Sequence, residues 1–393
     1  MSNQNTVDSN LIKLLILKGL AFTWFPIPTL ILFYRSHGLD IQQAVLLKTI
    51  LSLSVLVLEV PSGYLADKIG RKFCLVAGSA VWLLGWLFYC GGSSFAAFAI
   101  AEILSGVAVS LISGADTALA YESLLETKRA SFYPSFEGRL VAVAGITEAV
   151  CGIIGAAVAE INLVYPFYLQ TVCLALYCGL SFTLVEPKHR QALAIKEQSN
   201  LGAIAKRVFF HSYLRWLICL SSILSAASFL MVWLSQDYLR LAGLSVSAMG
   251  WGWALFHVLM SLASVNAPRL QRALGMKQTL LVLVTTMAVA YLLLGSVTGF
   301  WGMAFICLVY IVRGMKSPLL LNLINSQIPS SIRATVLSLN SFAFSLGFAL
   351  YAPLVGAIAS RYSLATALLF SGSFFLVAGC FSWWRLTRLE FLE

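Results

Sequence analysis

The chain's first strongly charged run reads Gly63-Tyr64-Leu65-Ala66-Asp67-Lys68-Ile69-Gly70-Arg71-Lys72. It lies between two long apolar segments, about residues 44–65 and 73–92, and each is near the ~20 residues that a helix needs to cross a bilayer core. A turn that joins two such helices lies at a membrane face, and its basic residues place that face in the cytoplasm by the positive-inside rule. Gly63 and Gly70 allow the two helix ends to approach closely.

The composition independently indicates an integral membrane protein. Of 393 residues, 60% are hydrophobic and only 11% are charged, which lies well outside the range of soluble domains. The eight cysteines fall inside apolar segments without metal-ligand or redox spacing, so we interpret them as small core residues. No phosphate-binding glycine loop, histidine metal box or Ser-His-Asp arrangement stands out, so we expect no enzyme, no cofactor and no metal site.

The order of apolar and polar segments predicts twelve transmembrane helices in two six-helix bundles. The bundles cover residues 1–185 and 214–393, and a polar linker covers 186–213. Most of the 26 Lys and Arg residues then fall on the cytoplasmic side, so both termini are predicted to be cytoplasmic and the net charge of +10 does not indicate nucleic acid. The predicted spans are about 11–34, 41–65, 73–92, 95–119, 139–159, 164–185, 214–236, 247–266, 278–297, 300–325, 334–359 and 363–384.

The two halves also resemble one another. Gly70-Arg71-Lys72 aligns with Gly275-Met276-Lys277, and Arg139 at the start of span five aligns with Arg333 at the start of span eleven. Internal repeats on either side of a central linker are typical of secondary transporters, which bind substrate near the bilayer midplane between the repeats.

The charged run matches Gly-x-Leu-x-Asp-x-x-Gly-Arg-Lys and resembles the signature loop between helices 2 and 3 of the major facilitator superfamily. The resemblance covers essentially the whole chain and is nearest to twelve-span bacterial drug and metabolite exporters. Two features depart from those exporters: residues 95–119 contain no arginine, and span five keeps Gly145, Gly152 and Gly155 without the exporters' proline. The resemblance implies two contacts for the gating loop, Gly63, Asp67, Gly70, Arg71 and Lys72. Asp67 would meet the start of span eleven, and Arg71 would meet Asp116 or Glu122.

Ionisable residues inside the spans are candidates for coupling and substrate binding, because each is costly in contact with lipid. Lys48 and Glu59 lie eleven residues apart in span two, on one face with Ser52 and about 16 Å apart along the axis. Glu148 in span five and Arg313 in span ten lie near mid-depth, with Lys316 one turn beyond Arg313 and His257 in span eight. Buried ion pairs, snorkelling side chains or, for His257, a hydrogen-bonded core residue are the structural alternatives.

The sequence therefore predicts a secondary transporter of a small organic solute that works by alternating access, with proton-coupled export as the leading mechanism. The alternatives are proton-coupled uptake of an anionic or zwitterionic solute at Arg313 and Lys316, and a lipid flippase. Glu148 and Arg313 are expected to approach one another between the halves. The expected partners are the solute, protons and the lipid bilayer, and a monomeric, multi-pass protein of the cytoplasmic (inner) membrane is predicted.

Overall fold

A computed structural model describes residues 2–129, 132–187, 210–328 and 333–389. Within its helices, the description does not include the side chains of residues 2–8, 60, 64, 67, 134 and 333–335. These ranges are helical and contain no strand. The helices before the linker are α1 (Ser2–Ala21), α2 (Leu30–Ser36), α3 (Ile41–Ile69), α4 (Arg71–Gly91), α5 (Phe95–Ile112), α6 (Ala115–Glu126), α7 (Tyr133–Ile161) and α8 (Tyr165–Phe182). Those after it are α9 (Ser212–Leu241), α10 (Val246–Leu274), α11 (Met276–Ser296), α12 (Gly302–Ser326), α13 (Arg333–Arg361) and α14 (Leu364–Leu389).

The helices have the length and composition of membrane spans. Within the described residues, 10 helical segments are long and apolar enough to cross a bilayer. The two other predicted spans, 11–34 and 164–185, coincide with the helical segments α1–α2 and α8. The prediction of an all-α membrane protein is therefore confirmed, and the helix order is consistent with twelve spans.

Two of the predicted spans are interrupted. The first breaks between Ala21 and Leu30, where Pro26 precedes a single 3-10 turn, Ile27–Thr29, that itself contains Pro28. Proline lacks the backbone N–H and disfavours helical geometry in the residue before it, which explains the break. The fourth breaks between α5 and α6 at Gly114, whose φ of 78° is left-handed and suits glycine.

The described chain forms two compact units. The first unit comprises residues 1–37, 50–197 and 246–254, and the second comprises 38–49, 198–245 and 255–393. Helices α3 and α10 thus contribute residues to both units. The division into 1–185 and 214–393 stays a prediction, and most of the predicted linker, including its Lys206-Arg207 segment, lies outside the described residues.

Each unit has an aromatic and aliphatic core. In the first unit, Phe33 is fully buried and its ring packs against Phe98 and Phe167, with centroids 5.3 and 4.0 Å away. In the second unit, the buried Tyr291 of α11 donates a hydrogen bond of 2.6 Å to the carbonyl oxygen of Ala227 in α9. Helix α9 therefore packs against α11 in this core, and 72% of its apolar window is buried inside the protein.

Candidate functional site

The charged loop is a one-residue turn. Helix α3 ends at Ile69 and α4 begins at Arg71, with Gly70 between them at a φ of 132°. The carboxylate of Glu186 accepts hydrogen bonds from the backbone N–H groups of Arg71 and Lys72, at 2.8 and 2.7 Å. A carboxylate at a helix N-terminus satisfies free donors and complements the helix dipole. Glu186 was not among the predicted site residues, although it is the acid that directly follows span six.

The two acids proposed as partners of Arg71 have different neighbours. Arg71 Nε lies 3.4 Å from Glu122 Oε1, with side chains only 19% and 15% exposed. Asp116 instead pairs with Lys18 of α1 at 3.0 Å, in the wall of a cavity of about 430 Å³ that Trp82 and Tyr177 also line. The structure thus brings Arg71 to Glu122, while the side chain of Asp67 lies outside the described residues.

A pair of cations lies inside the second unit on helix α12. Lys316 Nζ donates a hydrogen bond of 2.7 Å to Ser225 Oγ of α9. Arg313 lies one turn earlier, with its guanidinium carbon 5.6 Å from the ring centre of Tyr310. Arg313 Nη1 is buried and has no hydrogen-bond partner among the described residues. Within the same residues, neither cation forms an ion pair with a carboxylate.

Gly314 sets the distance between α12 and α10 at this site. A Cβ built on Gly314 would overlap the carbonyl oxygen of Met260, so the two backbones are in direct contact. One turn before Met260, the buried ring of His257 stands edge-on to Tyr310 at 5.7 Å. Tyr310 therefore contacts both His257 and Arg313, and the resulting site presents two cations and an imidazole. Such a set can bind an anionic group.

The other predicted residues lie elsewhere. Lys48 is only 3% exposed and its ammonium lies 4.9 Å from the ring centre of Trp233 in the second unit, so it does not snorkel. Glu59 is half-buried in the first unit. Glu148 is half-buried there too, whereas Arg313 belongs to the second unit, and their approach stays a prediction.

Two further acids, Glu102 and Asp237, are buried. Glu102 is 2% exposed, and its Oε1 accepts hydrogen bonds from Tyr34 and Tyr89 at 2.8 and 2.5 Å. Asp237, 4% exposed and one turn beyond Trp233 on α9, was not among the predicted residues. The feature of the sequence that could have identified Asp237 is its position as a single acidic residue at the end of an apolar span.

Comparison with known proteins identifies the family. A family model described as Major Facilitator Superfamily matches residues 19–350. The chain belongs to the major facilitator superfamily. The family inferred from residues 63–72 is therefore confirmed, and the chain is a transporter of this superfamily.

The relatives cover nearly the full length of the chain. An uncharacterized MFS-type transporter of Bacillus subtilis, YxaM, is 24% identical over 92% of this chain and 91% of its own length. MJ1560 of Methanocaldococcus jannaschii, also described as an uncharacterized MFS-type transporter, is 22% identical over 84% of this chain and 86% of its own.

Solved structures share the fold at low identity. The nucleoside transporter NupG superposes with a TM-score of 0.81 at 14% identity, covering 98% of this chain and 99% of its own. A D-xylose-proton symporter gives 0.71 at 16% identity, covering 97% of both chains. At these identities the likeness concerns the fold alone.

Proposed function

We propose that this major facilitator transporter moves a small anionic organic solute by alternating access, and that Arg313 and Lys316 bind the anionic group. The observation that carries the proposal is the half-buried cation pair on α12, in which the buried Nη1 of Arg313 has no hydrogen-bond partner among the described residues. Removing a cation from water costs several kcal/mol unless a counter-charge compensates for it. A carboxylate or phosphate on the solute supplies that charge and accepts hydrogen bonds from both side chains.

Export in exchange for protons is the second part of the proposal, and it rests on the resemblance to bacterial exporters. Uptake with protons would use the same cation pair, so the two mechanisms differ in direction. A location in the cytoplasmic membrane with cytoplasmic termini, and function as a monomer, belong to the same proposal; the location rests on the distribution of Lys and Arg.

Metabolite profiling tests the substrate class and the direction together. A strain that lacks this protein is compared with the same strain carrying the wild-type chain, in both cytoplasm and medium. Export predicts an anionic solute that accumulates in the cytoplasm of the deletion strain, and uptake predicts one that remains in the medium. A neutral or cationic solute as the main difference would contradict the proposed role of Arg313 and Lys316.

Proton coupling predicts a specific effect of Glu148. A carboxylate that is paired in one conformation and unpaired in low dielectric in the other gains and loses a proton during the cycle. Glu148→Gln cannot titrate, so we expect transport in proteoliposomes that no longer depends on pH, whereas a protonophore should abolish net transport by the wild type. The matched control is Glu160→Gln on the exposed face of the same helix. Wild-type pH dependence in Glu148→Gln would assign coupling to another acid.

The contact between Arg71 and Glu122 predicts energetic coupling at the gating loop. We propose that this pair, together with Asp67, stabilises one state of the gate. Arg71→Gln and Glu122→Gln should each slow transport, and the double variant should be no slower than the slower single variant, because both remove one interaction. Asp67→Asn should abolish transport at normal expression. Additive effects of the Arg71 and Glu122 changes on the transport rate per molecule would show that the two residues act independently. Reduced expression with a normal rate per molecule would show that the loop serves folding.

A further inference from the structure

A long apolar groove runs between helices α9, α13 and α14 of the second unit. Its volume is about 510 Å³, and its walls include Ala226, Ala343 and Phe374, with Arg215 at one end. The cation pair of α12 does not line it, so it is separate from the proposed solute site. Phe342 and Phe374 in its wall are 47% and 42% exposed. The groove is therefore open along one side.

The groove has the length of one bilayer leaflet. Along α9 it extends from Arg215 to Ala226, which at 1.5 Å per residue is about 16 Å. The hydrocarbon core of a bilayer is about 30 Å thick, so this length is about half of it. The groove starts in the first turn of α9, at the end of the helix that the positive-inside rule places at the cytoplasmic face.

Two arginines lie at or near one end of the groove: Arg215 is in its wall, and Arg385 lies outside the wall, beside the residue that follows Arg215. Arg215 lies in the first turn of α9, where the helix dipole also favours an anion. Arg385 of α14 lies over the neighbouring Trp216, with its guanidinium carbon 5.5 Å from the ring centre. Arg385 Nε is buried and has no hydrogen-bond partner in the described part of the chain. This end can therefore accept a phosphate group, since each guanidinium presents donors in the geometry that phosphate accepts.

We propose that the groove binds one anionic phospholipid, with an acyl chain between α9, α13 and α14 and the headgroup phosphate at Arg215 and Arg385. Apolar walls of one leaflet's length fit an acyl chain, and the basic end distinguishes an anionic from a zwitterionic headgroup. Ser222 Oγ lies in the wall below Arg215, is buried without a partner among the described residues, and can donate to an ester carbonyl of the lipid. The lipid is a bound ligand of the transporter, independent of the solute that it moves.

Native mass spectrometry of the full-length detergent-solubilised protein tests the site with phosphatidylglycerol and phosphatidylcholine as probes. The wild type should bind one phosphatidylglycerol at least tenfold more tightly than phosphatidylcholine. The double variant Arg215→Gln/Arg385→Gln should lose that preference, and Ala343→Trp should displace the bound lipid by filling the groove. The matched controls are Arg272→Gln, an exposed arginine elsewhere, and Val377→Trp, a side chain that is 71% exposed on α14. Both should bind like the wild type.

Three results would overturn the proposal. The first is equal affinity for the two lipids in the wild type. The second is unchanged phosphatidylglycerol binding in the double arginine variant. The third is equally tight binding of soluble glycerophosphoglycerol, which would show a site for a free anion. Size-exclusion elution reports whether each variant is folded, and if Ala343→Trp is not, Ala226→Phe fills the same groove from α9.

Discussion

Arg313→Gln is expected to abolish transport while leaving a folded protein. The guanidinium is the cation whose Nη1 is buried without a hydrogen-bond partner in the described residues, so a bound anion supplies what the protein itself does not. Losing a charge-assisted hydrogen bond costs about 1.5–3 kcal/mol, and a bidentate pair contains two of them. We therefore expect binding of the anionic solute to weaken by a factor on the order of 100 or more. Thermal stabilisation of the purified variants by a panel of small carboxylates and phosphate monoesters, each matched with a neutral analogue, measures this loss.

Arg313→Lys separates charge from geometry. Lysine keeps the charge but cannot form the two parallel hydrogen bonds of a guanidinium, so its affinity should lie between those of the wild type and Arg313→Gln. Arg272→Gln, which removes an exposed cation, should bind and transport like the wild type. If the anions stabilise Arg313→Gln as strongly as the wild type, the cation pair serves the packing of α12 and the solute binds elsewhere.

Gly155→Ala is expected to cause the largest loss of stability among single-methyl additions in the first unit. A Cβ at this position of α7 would overlap the carbonyl oxygen of Phe25, in the interrupted part of the first span. The neighbour is backbone, held by the adjacent Pro26, and it cannot rotate away as a side chain would. Overpacking of this kind costs about 1–3 kcal/mol or more, and we expect the upper part of that range. The thermal midpoint in detergent should fall by several degrees.

Gly145 provides a matched control on the same helix. A Cβ at Gly145 meets nothing within 4 Å, so Gly145→Ala introduces the same methyl group without the overlap. It should keep or slightly raise the thermal midpoint, because alanine favours helix over glycine by about 1 kcal/mol. Equal midpoints for Gly145→Ala and Gly155→Ala would mean that the first span moves away from α7 without cost.

The membrane fold could be predicted because its signals are local in the chain. Apolar lengths, the basic turns and the run from Gly63 to Lys72 each need only neighbouring residues to be interpreted. The breaks at Pro26 and Gly114 also have local causes, and proline and glycine inside predicted spans were the available signals. The number and length of the apolar segments do not show these two breaks, because a single proline or glycine changes the hydropathy of a long segment very little.

The contacts of the candidate sites could not be predicted, because they join residues distant in sequence. Lys18 pairs with Asp116, and Lys316 donates a hydrogen bond to Ser225, which lies 91 positions earlier in the chain. Spacing places a side chain on a face of its own helix, but it does not specify which helix that face meets. The contact of Arg71 with Glu122 was anticipated as one of two options only through the family resemblance, and Glu186 was not anticipated at all.

The one-residue turn at Gly70 has a counterpart in the second half of the chain, at Gly275. Helix α10 ends at Leu274 and α11 begins at Met276, and Gly275 between them also has a positive φ, 76°. The acidic side chain of the first copy is absent from the second, where Pro268 and Arg269 stand in the aligned region. Both connections thus have a single glycine between two helices, while the surrounding side chains differ. Only one residue joins the two helices at each of these turns, so an insertion at either glycine would separate the helix ends. Epitope tags or reporter domains should therefore be placed at other loops.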